Sequence, residues 1–180
     1  MINDDKYYEK IELKSFPEIK NKLLDLHKDT LFPIKKQAVR LQWSRENFLD
    51  LYDEINEIAK EINSPVTIAK FFITPPYNNL GVHVDSTVIN PKSWALNIPI
   101  LSHEDNHYMF WYDYQGEYIT VSDSYNNSIK PKNVNQLTVL DKLVLTDPHY
   151  VKIGVFHSIE NRTPTPRIVL TLRFTKSFNR

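Results

Sequence analysis

Asn63-Ser64-Pro65, followed at once by Val66-Thr-Ile-Ala-Lys-Phe-Phe-Ile-Thr74, is where the chain changes character. Proline disfavours a helix running through the residue before it. The β-branched and aromatic residues beyond it suit a pleated strand. From there short β-type runs alternate with turn residues to the C-terminus. The predicted strands lie near Val66–Thr74, Gly81–Val84, Trp94–Leu101, Tyr108–Asp113, Tyr118–Val121, Leu137–Leu145, Lys152–Phe156 and Arg167–Thr175. Turn signals separate them: Pro75-Pro76-Tyr77-Asn78-Asn79, Asn90-Pro91, Tyr114-Gln115-Gly116, Ser124–Lys132 and Asn161–Pro166. About eight short strands in roughly 110 residues argue for a sandwich or jelly roll.

Upstream of Pro65 the pattern is helical. In Glu18–His27, Ile19, Leu23 and Leu26 share one apolar face. A stronger helix is expected from Ser44 as N-cap, with Phe48, Leu51, Tyr52, Ile55, Ile58, Ala59 and Ile62 at helical spacing, ending near Asn63. The expected class is α+β, mainly β, in one domain spanning 1–180: residues 1–65 as helical support and 66–175 as the β core.

Composition excludes several classes. Lys+Arg and Asp+Glu both number 22, so the formal charge is zero, which gives nucleic-acid binding no support, although a nucleotide remains open as substrate. With three glycines there is no Gly-rich phosphate cradle. With no cysteine there is no disulfide, thiolate nucleophile or Cys-type zinc site. No apolar run approaches the roughly 18–20 residues of a membrane span. The polar N-terminus does not read as a secretory signal, and a cytoplasmic location is expected.

The chemistry begins at Gly81-Val-His-Val-Asp-Ser86. Residues i and i+2 of a strand share a face, so His83 and Asp85 present an imidazole and a carboxylate together. Alone, such a pair is as readily a surface hydrogen bond. The second stretch is Val155-Phe-His-Ser-Ile-Glu-Asn161, where His157 is read as ending the apolar run from Val151 to Phe156. A lone histidine there is more often structural. Its weight comes from Arg167, ten positions on, which a strand–turn–strand can return beside it. Two histidines and one carboxylate on one side of iron(II) leave three positions open, for a 2-oxo acid and dioxygen. The far carboxylate of such an acid needs a fixed cation, which an arginine fork supplies.

With these residues the sequence resembles the 2-oxoglutarate/iron(II)-dependent oxygenases of the double-stranded β-helix (jelly-roll, cupin-like) fold, especially small stand-alone members from phages and marine microbes. The likeness covers roughly Val66 to Phe174. It is carried by Gly81-Val-His83-Val-Asp85, by Trp94-Ala-Leu-Asn-Ile-Pro-Ile100, and by Phe156-His157 through to Pro166-Arg167-Ile-Val-Leu-Thr-Leu-Arg-Phe174. The resemblance implies a β-helix core with the N-terminal helices packed against it. It implies His83, Asp85 and His157 as catalytic iron ligands and Arg167 as partner of the distal carboxylate of 2-oxoglutarate. The reaction implied is hydroxylation, or a related oxidation, coupled to decarboxylation to succinate. The chain departs from the family at Val169, where many members carry a hydroxyl two positions after the arginine. A hydroxyl must then come from elsewhere, from Thr171 or a tyrosine. Arg173-Phe-Thr175 has the matching spacing, but lies roughly 20 Å further along the strand.

Asn97, which interrupts an apolar strand, is expected to bind the cosubstrate or a ligand carboxylate, or to link strands. Tyr77, Trp111 and Tyr112 are the candidates for substrate contact, a small-molecule or peptide-like compound. Aromatic Met109-Phe-Trp-Tyr-Asp113 suits a core as well. His103, His107 and His149 read as surface residues, and Asn161 as a turn former. Two other classes fit the same residues: a cupin-like metalloenzyme that does not use 2-oxoglutarate, and a non-enzymatic jelly-roll binding module.

Overall fold

The computed structural model describes residues 5–27, 51–102, 106–122 and 127–175. In chain order the elements are β1 (Tyr8–Lys10), α1 (Phe16–His27), α2 (Tyr52–Ile62), β2 (Val66–Thr74), β3 (Asn78–His83), β4 (Trp94–Leu101), β5 (His107–Asp113), β6 (Tyr118–Ser122), β7 (Asn127–Pro131), β8 (Thr138–Val144), β9 (His149–Lys152), β10 (His157–Asn161) and β11 (Arg167–Phe174). Among the described residues no helix is long and apolar enough to cross a membrane.

Two antiparallel sheets form the body. One has the order β1-β9-β4-β11-β2, the other β3-β10-β5-β8. Strands β2 to β5 alternate between them, and so do β8 to β11. That alternation is the winding of a jelly roll, the double-stranded β-helix expected. Strands β6 and β7 pair with each other as a hairpin inserted between β5 and β8, and Val84 bridges to Ile129 of β7 to dock it beside the end of β3.

Strand parity sorts the core. On β11, Ile168, Leu170 and Leu172 face the helices. They pack with Ala69, Phe71 and Ile73 of β2, Leu96, Ile98 and Ile100 of β4, and Ile19, Leu23, Ile55 and Ile58 of the two helices. The alternate residues face the barrel interior, where Val169 meets Ala95, Met109, Trp111 and Ile159. Both faces of this sheet are thus covered, which explains the near-continuous apolar runs of β4 and β11.

The helices are joined by a specific device. Glu61 on α2 accepts hydrogen bonds from the Lys14 and Ser15 backbone N–H groups and the Ser15 hydroxyl, capping the start of α1. Lys22 of α1 pairs with Glu54 of α2. Burial raises the Glu61 pKa, but the Ser15 hydroxyl, the two backbone donors and the charge of Lys14 outweigh it and hold the value below normal. The stabilisation is therefore complete above the unfolded-state pKa and lost as pH falls through the lower folded-state value. Glu61→Gln is expected to cost about 1 kcal/mol at neutral pH, as loss of a helix cap does. In denaturation midpoints measured from pH 7 to 3, the gap from wild type should close at the acid end.

Several sequence expectations are corrected. The run Lys152–Phe156 is not a strand. Strand β9 ends at Lys152, the chain crosses to the other sheet through residues 153–156, and His157 opens β10 rather than closing an apolar strand. The run is apolar because its side chains fall among the clusters flanking the crossover. Ser124–Lys132 is not all turn, since Asn127–Pro131 forms β7 against β6. Strand β3 begins earlier than expected, at Asn78, because the chain turns tightly at Tyr77, whose φ is 51°. Helix α2 ends as expected, with Asn63 in the left-handed conformation at φ 56°. The expected Ser44 cap and Phe48 lie outside the described residues, as does His103.

Candidate metal centre

His83 is the last residue of β3 and His157 the first of β10, and register sets them opposite each other. Their ring centroids are 4.6 Å apart. Two positions on, Asp85 turns its Oδ1 to within 3.2 Å of His83 Nε2. One ligand atom from each of His83, Asp85 and His157 lies within 4.8 Å of the others. Ligands about 2.1 Å from one ion at right angles sit about 3 Å apart, so the cluster needs little movement to close on a metal.

Both rings are pre-oriented. His83 Nδ1 lies 2.7 Å from the Gly81 carbonyl, and His157 Nδ1 lies 2.9 Å from that of Val155. A carbonyl can only accept, so each Nδ1 carries its proton and each Nε2 is the nitrogen a metal would take, that of His83 being paired with Asp85 Oδ1 in the absence of one. The other oxygen of Asp85, Oδ2, accepts from Arg173 at 2.9 Å. Oδ1 is thereby left toward the histidines and Oδ2 is spent on the arginine.

The electrostatics follow from this crowding. Burial alone would raise Asp85, but the His83 hydrogen bond and charge, His157 and Arg173 reverse it and keep the carboxylate ionised. His83 is opposed by burial and raised on balance by Asp85. Burial and the neighbouring His83 push His157 down to about 4, so it is neutral at pH 7.

Arg167 is the other unusual group. It starts β11, faces the barrel interior on the same side as Val169, and is 0% exposed. Its Nε, Nη1 and Nη2 have no hydrogen-bond partner among the described residues. Burial lowers its pKa to about 10, which still leaves it charged at pH 7. A buried cation with three unmet donors could hold an anion. Arg173, the alternative, donates Nη2 to Asp85, and its buried Nε has no partner among the described residues.

The remaining candidates separate. Asn97 Oδ1 accepts from Thr171 Oγ1 at 2.7 Å, so these two interior residues are bonded to each other across β4 and β11. Trp111 pairs with His157 in register but is fully buried, donates to the Lys152 carbonyl at 2.8 Å, and packs on Tyr7 and Tyr8. Tyr112 has the opposite parity and bonds Ser158 Oγ at 2.9 Å. Tyr77 is 72% exposed at the far end of β3 from His83, roughly 20 Å along the strand. The structure therefore brings none of these three aromatics to an open position at the triad.

His107 and His149 are buried, not on the surface. His107 Nε2 bonds Thr163 Oγ1 at 3.0 Å, and His149 Nδ1 bonds the Asp147 carbonyl at 2.8 Å. Asn161 shapes its turn and also closes this end of the barrel. Its Nδ2 lies within 3.0 Å of the Thr74, Pro75 and Thr165 carbonyls, while Oδ1 accepts from Thr163. Asn161→Ala strands several buried backbone groups and should cost about 2–4 kcal/mol in a urea titration.

Neither a family model nor a curated protein sequence matches the chain. Solved structures of similar shape include EvdMO1, at TM-score 0.49 and 11% identity over 92% of this chain and 46% of that one. The non-haem monooxygenase ThoJ in its nickel complex gives 0.48 and 13% over 94% and 73%. The L-ribose isomerase of Cellulomonas parahominis gives 0.38 and 13% over 91% and 83%. The chain spans about half the length of EvdMO1. Likeness at this level says nothing of what this chain binds.

Proposed function

We propose that this chain is a non-haem iron(II), 2-oxoglutarate-dependent oxygenase that hydroxylates a small-molecule or peptide-like substrate. The observation that carries the reading is Arg167: a buried guanidinium without a partner among the described residues, inside the same barrel as a His-Asp-His cluster. An anionic cosubstrate would give that cation the partner that a metal ion alone does not.

The residues fit the groups. His83 and His157 offer Nε2 and Asp85 offers Oδ1, the two-histidine, one-carboxylate set that leaves positions open on iron(II). Bound there with 2-oxoglutarate and dioxygen, the metal supplies the oxidising chemistry, in which one oxygen atom enters the substrate and the other enters succinate, with carbon dioxide released. The protein's own part is orientation and electrostatics. Arg167 offers a planar fork to the distal carboxylate. Arg173 holds Asp85 in one rotamer, and the Gly81 and Val155 carbonyls hold the imidazoles. The apolar interior around Val169, Ala95 and Met109 keeps water from the buried end of the site.

Anaerobic addition of iron(II) and then 2-oxoglutarate should give a visible charge-transfer band in wild type. His83→Ala and His157→Ala should lose it. Iron binding in wild type with no spectral response to 2-oxoglutarate would sink the cosubstrate assignment and leave a cupin-like metalloenzyme of another class.

A further inference from the structure

We propose that Thr74 is the second half of the carboxylate site, its buried Oγ1 donating to the same anion that Arg167 holds. The inference rests on the reading above for the identity of that anion, one end of a 2-oxoglutarate-like dicarboxylate.

Three observations carry it. Thr74 and Arg167 are direct partners in the β2–β11 register. Cross-strand partners place their Cβ atoms about 5 Å apart on the same face, so hydroxyl and guanidinium enter the barrel side by side. Next, both residues are 0% exposed, and neither Thr74 Oγ1 nor any Arg167 nitrogen has a hydrogen-bond partner among the described residues. Four unmet polar atoms thus sit on two facing side chains. A guanidinium can only donate, and a hydroxyl can donate alongside it, so the missing partner must be rich in acceptors. A carboxylate offers two oxygens and about four lone-pair sites.

Lastly, the hydroxyls of Thr171 and Thr163 are engaged. Thr171 Oγ1 donates to Asn97 at 2.7 Å, and Thr163 Oγ1 donates to Asn161 at 2.7 Å. Val169, two positions after Arg167, has none. The neighbouring strand supplies what β11 lacks. Position 74 is also held firmly, since the Thr74 carbonyl accepts from Asn161 Nδ2 at 3.0 Å. A buried threonine hydroxyl with nothing to bond is costly where valine fills the same volume, and a ligand that needs it resolves the cost.

The test compares wild type, Thr74→Val and Thr74→Ser. Thermal midpoints are measured on metal-free protein with and without glutarate, a dicarboxylate with no keto group. Dissociation constants for 2-oxoglutarate are measured on anaerobic iron(II)-loaded protein. Thr74→Val should be at least as stable as wild type without ligand, lose most of the glutarate-induced shift, and bind 2-oxoglutarate about ten-fold or more weakly, with iron affinity unchanged. Thr74→Ser should stay within about three-fold of wild type. Unchanged 2-oxoglutarate affinity in Thr74→Val overturns the inference, as does absence of a glutarate shift in wild type. Loss of ligand-free stability in Thr74→Val, restored by serine, also overturns it by showing a structural hydroxyl. A Thr74-dependent glutarate shift in a protein that forms no succinate keeps the carboxylate site and removes the oxygenase reading. Succinate formation with Thr74→Val indistinguishable from wild type does the reverse.

Discussion

Arg167→Met is expected to stabilise the ligand-free protein while removing 2-oxoglutarate binding. The two effects have opposite signs and one cause. Arg167 is 0% exposed and its three nitrogens lack partners among the described residues. Burial pulls its pKa down to about 10, so at neutral pH it folds as a penalised cation. Methionine fills similar space without the charge, and replacing an uncompensated buried ion by an apolar side chain relieves strain on folding. A gain of about 2 kcal/mol, or roughly 4–8 °C in melting temperature, follows for a chain of this size. The carboxylate meanwhile loses a charge-assisted, two-pronged partner. Affinity for 2-oxoglutarate should fall at least about a hundred-fold. Iron(II) affinity should stay near wild type, because Arg167 is not a ligand. Thermal melts without ligand and anaerobic titrations with it read the two halves separately. A variant less stable than wild type would show that the guanidinium is already satisfied, and the anion site would lose its main support.

Gly154→Ala should be the most damaging of the three glycine-to-alanine changes open to this chain. A Cβ at Gly154 would stand 1.8 Å from the Asn90 carbonyl oxygen and 2.8 Å from Ser93 Cβ. The first obstacle is backbone and cannot rotate away. The same carbonyl region is tied down, since Gly154 O accepts from Asn90 N at 2.8 Å and Ser93 N bonds Asn90 O at 2.9 Å. Either the crossover at residues 153–156 or the loop after the metal strand must move. Asp85 N bonds Ile153 O, and the crossover leads directly into His157, so both sides of the triad shift with it. A loss of about 4 kcal/mol or more is expected, in the range of severe backbone conflicts. Gly81→Ala is the control: a Cβ there meets nothing within 4 Å, so urea midpoints should barely change. Equal midpoints for the two variants would contradict this account of the crossover.

Strand parity and turn chemistry made much of the core readable. Strands β2 and β4 have the bounds their β-branched and apolar runs imply, with Pro65 and Asn90-Pro91 as punctuation. Elements whose existence depends on a partner were not readable. Strand β7, Asn127-Ser-Ile-Lys-Pro131, has the composition of a turn and is a strand because β6 pairs with it. Strand β1 has only Tyr8–Lys10 and exists by pairing with β9. The crossover at Gly154 reads as strand in sequence because an apolar run looks the same whether it pairs or passes between two cores.

The site divides the same way. His83 and Asp85 are local, two residues apart on one run. His157 and Arg167 followed from one strand–turn–strand. Arg173 holding Asp85, and Thr74 facing Arg167, depend on register between strands far apart in sequence. Nothing near either residue in the sequence announces the contact. A polar residue of interior parity in an apolar strand, as Thr74 is in β2, was the available signal.

His83, Asp85 and His157 are proposed to form one metal site. Anaerobic calorimetric titration with iron(II) of wild type and His157→Ala tests it directly. One ion per chain should bind wild type, and His157→Ala, with its fold retained by circular dichroism, should bind at least about a hundred-fold more weakly. Iron(II) binding of equal strength in both proteins, or none in wild type, would contradict the account.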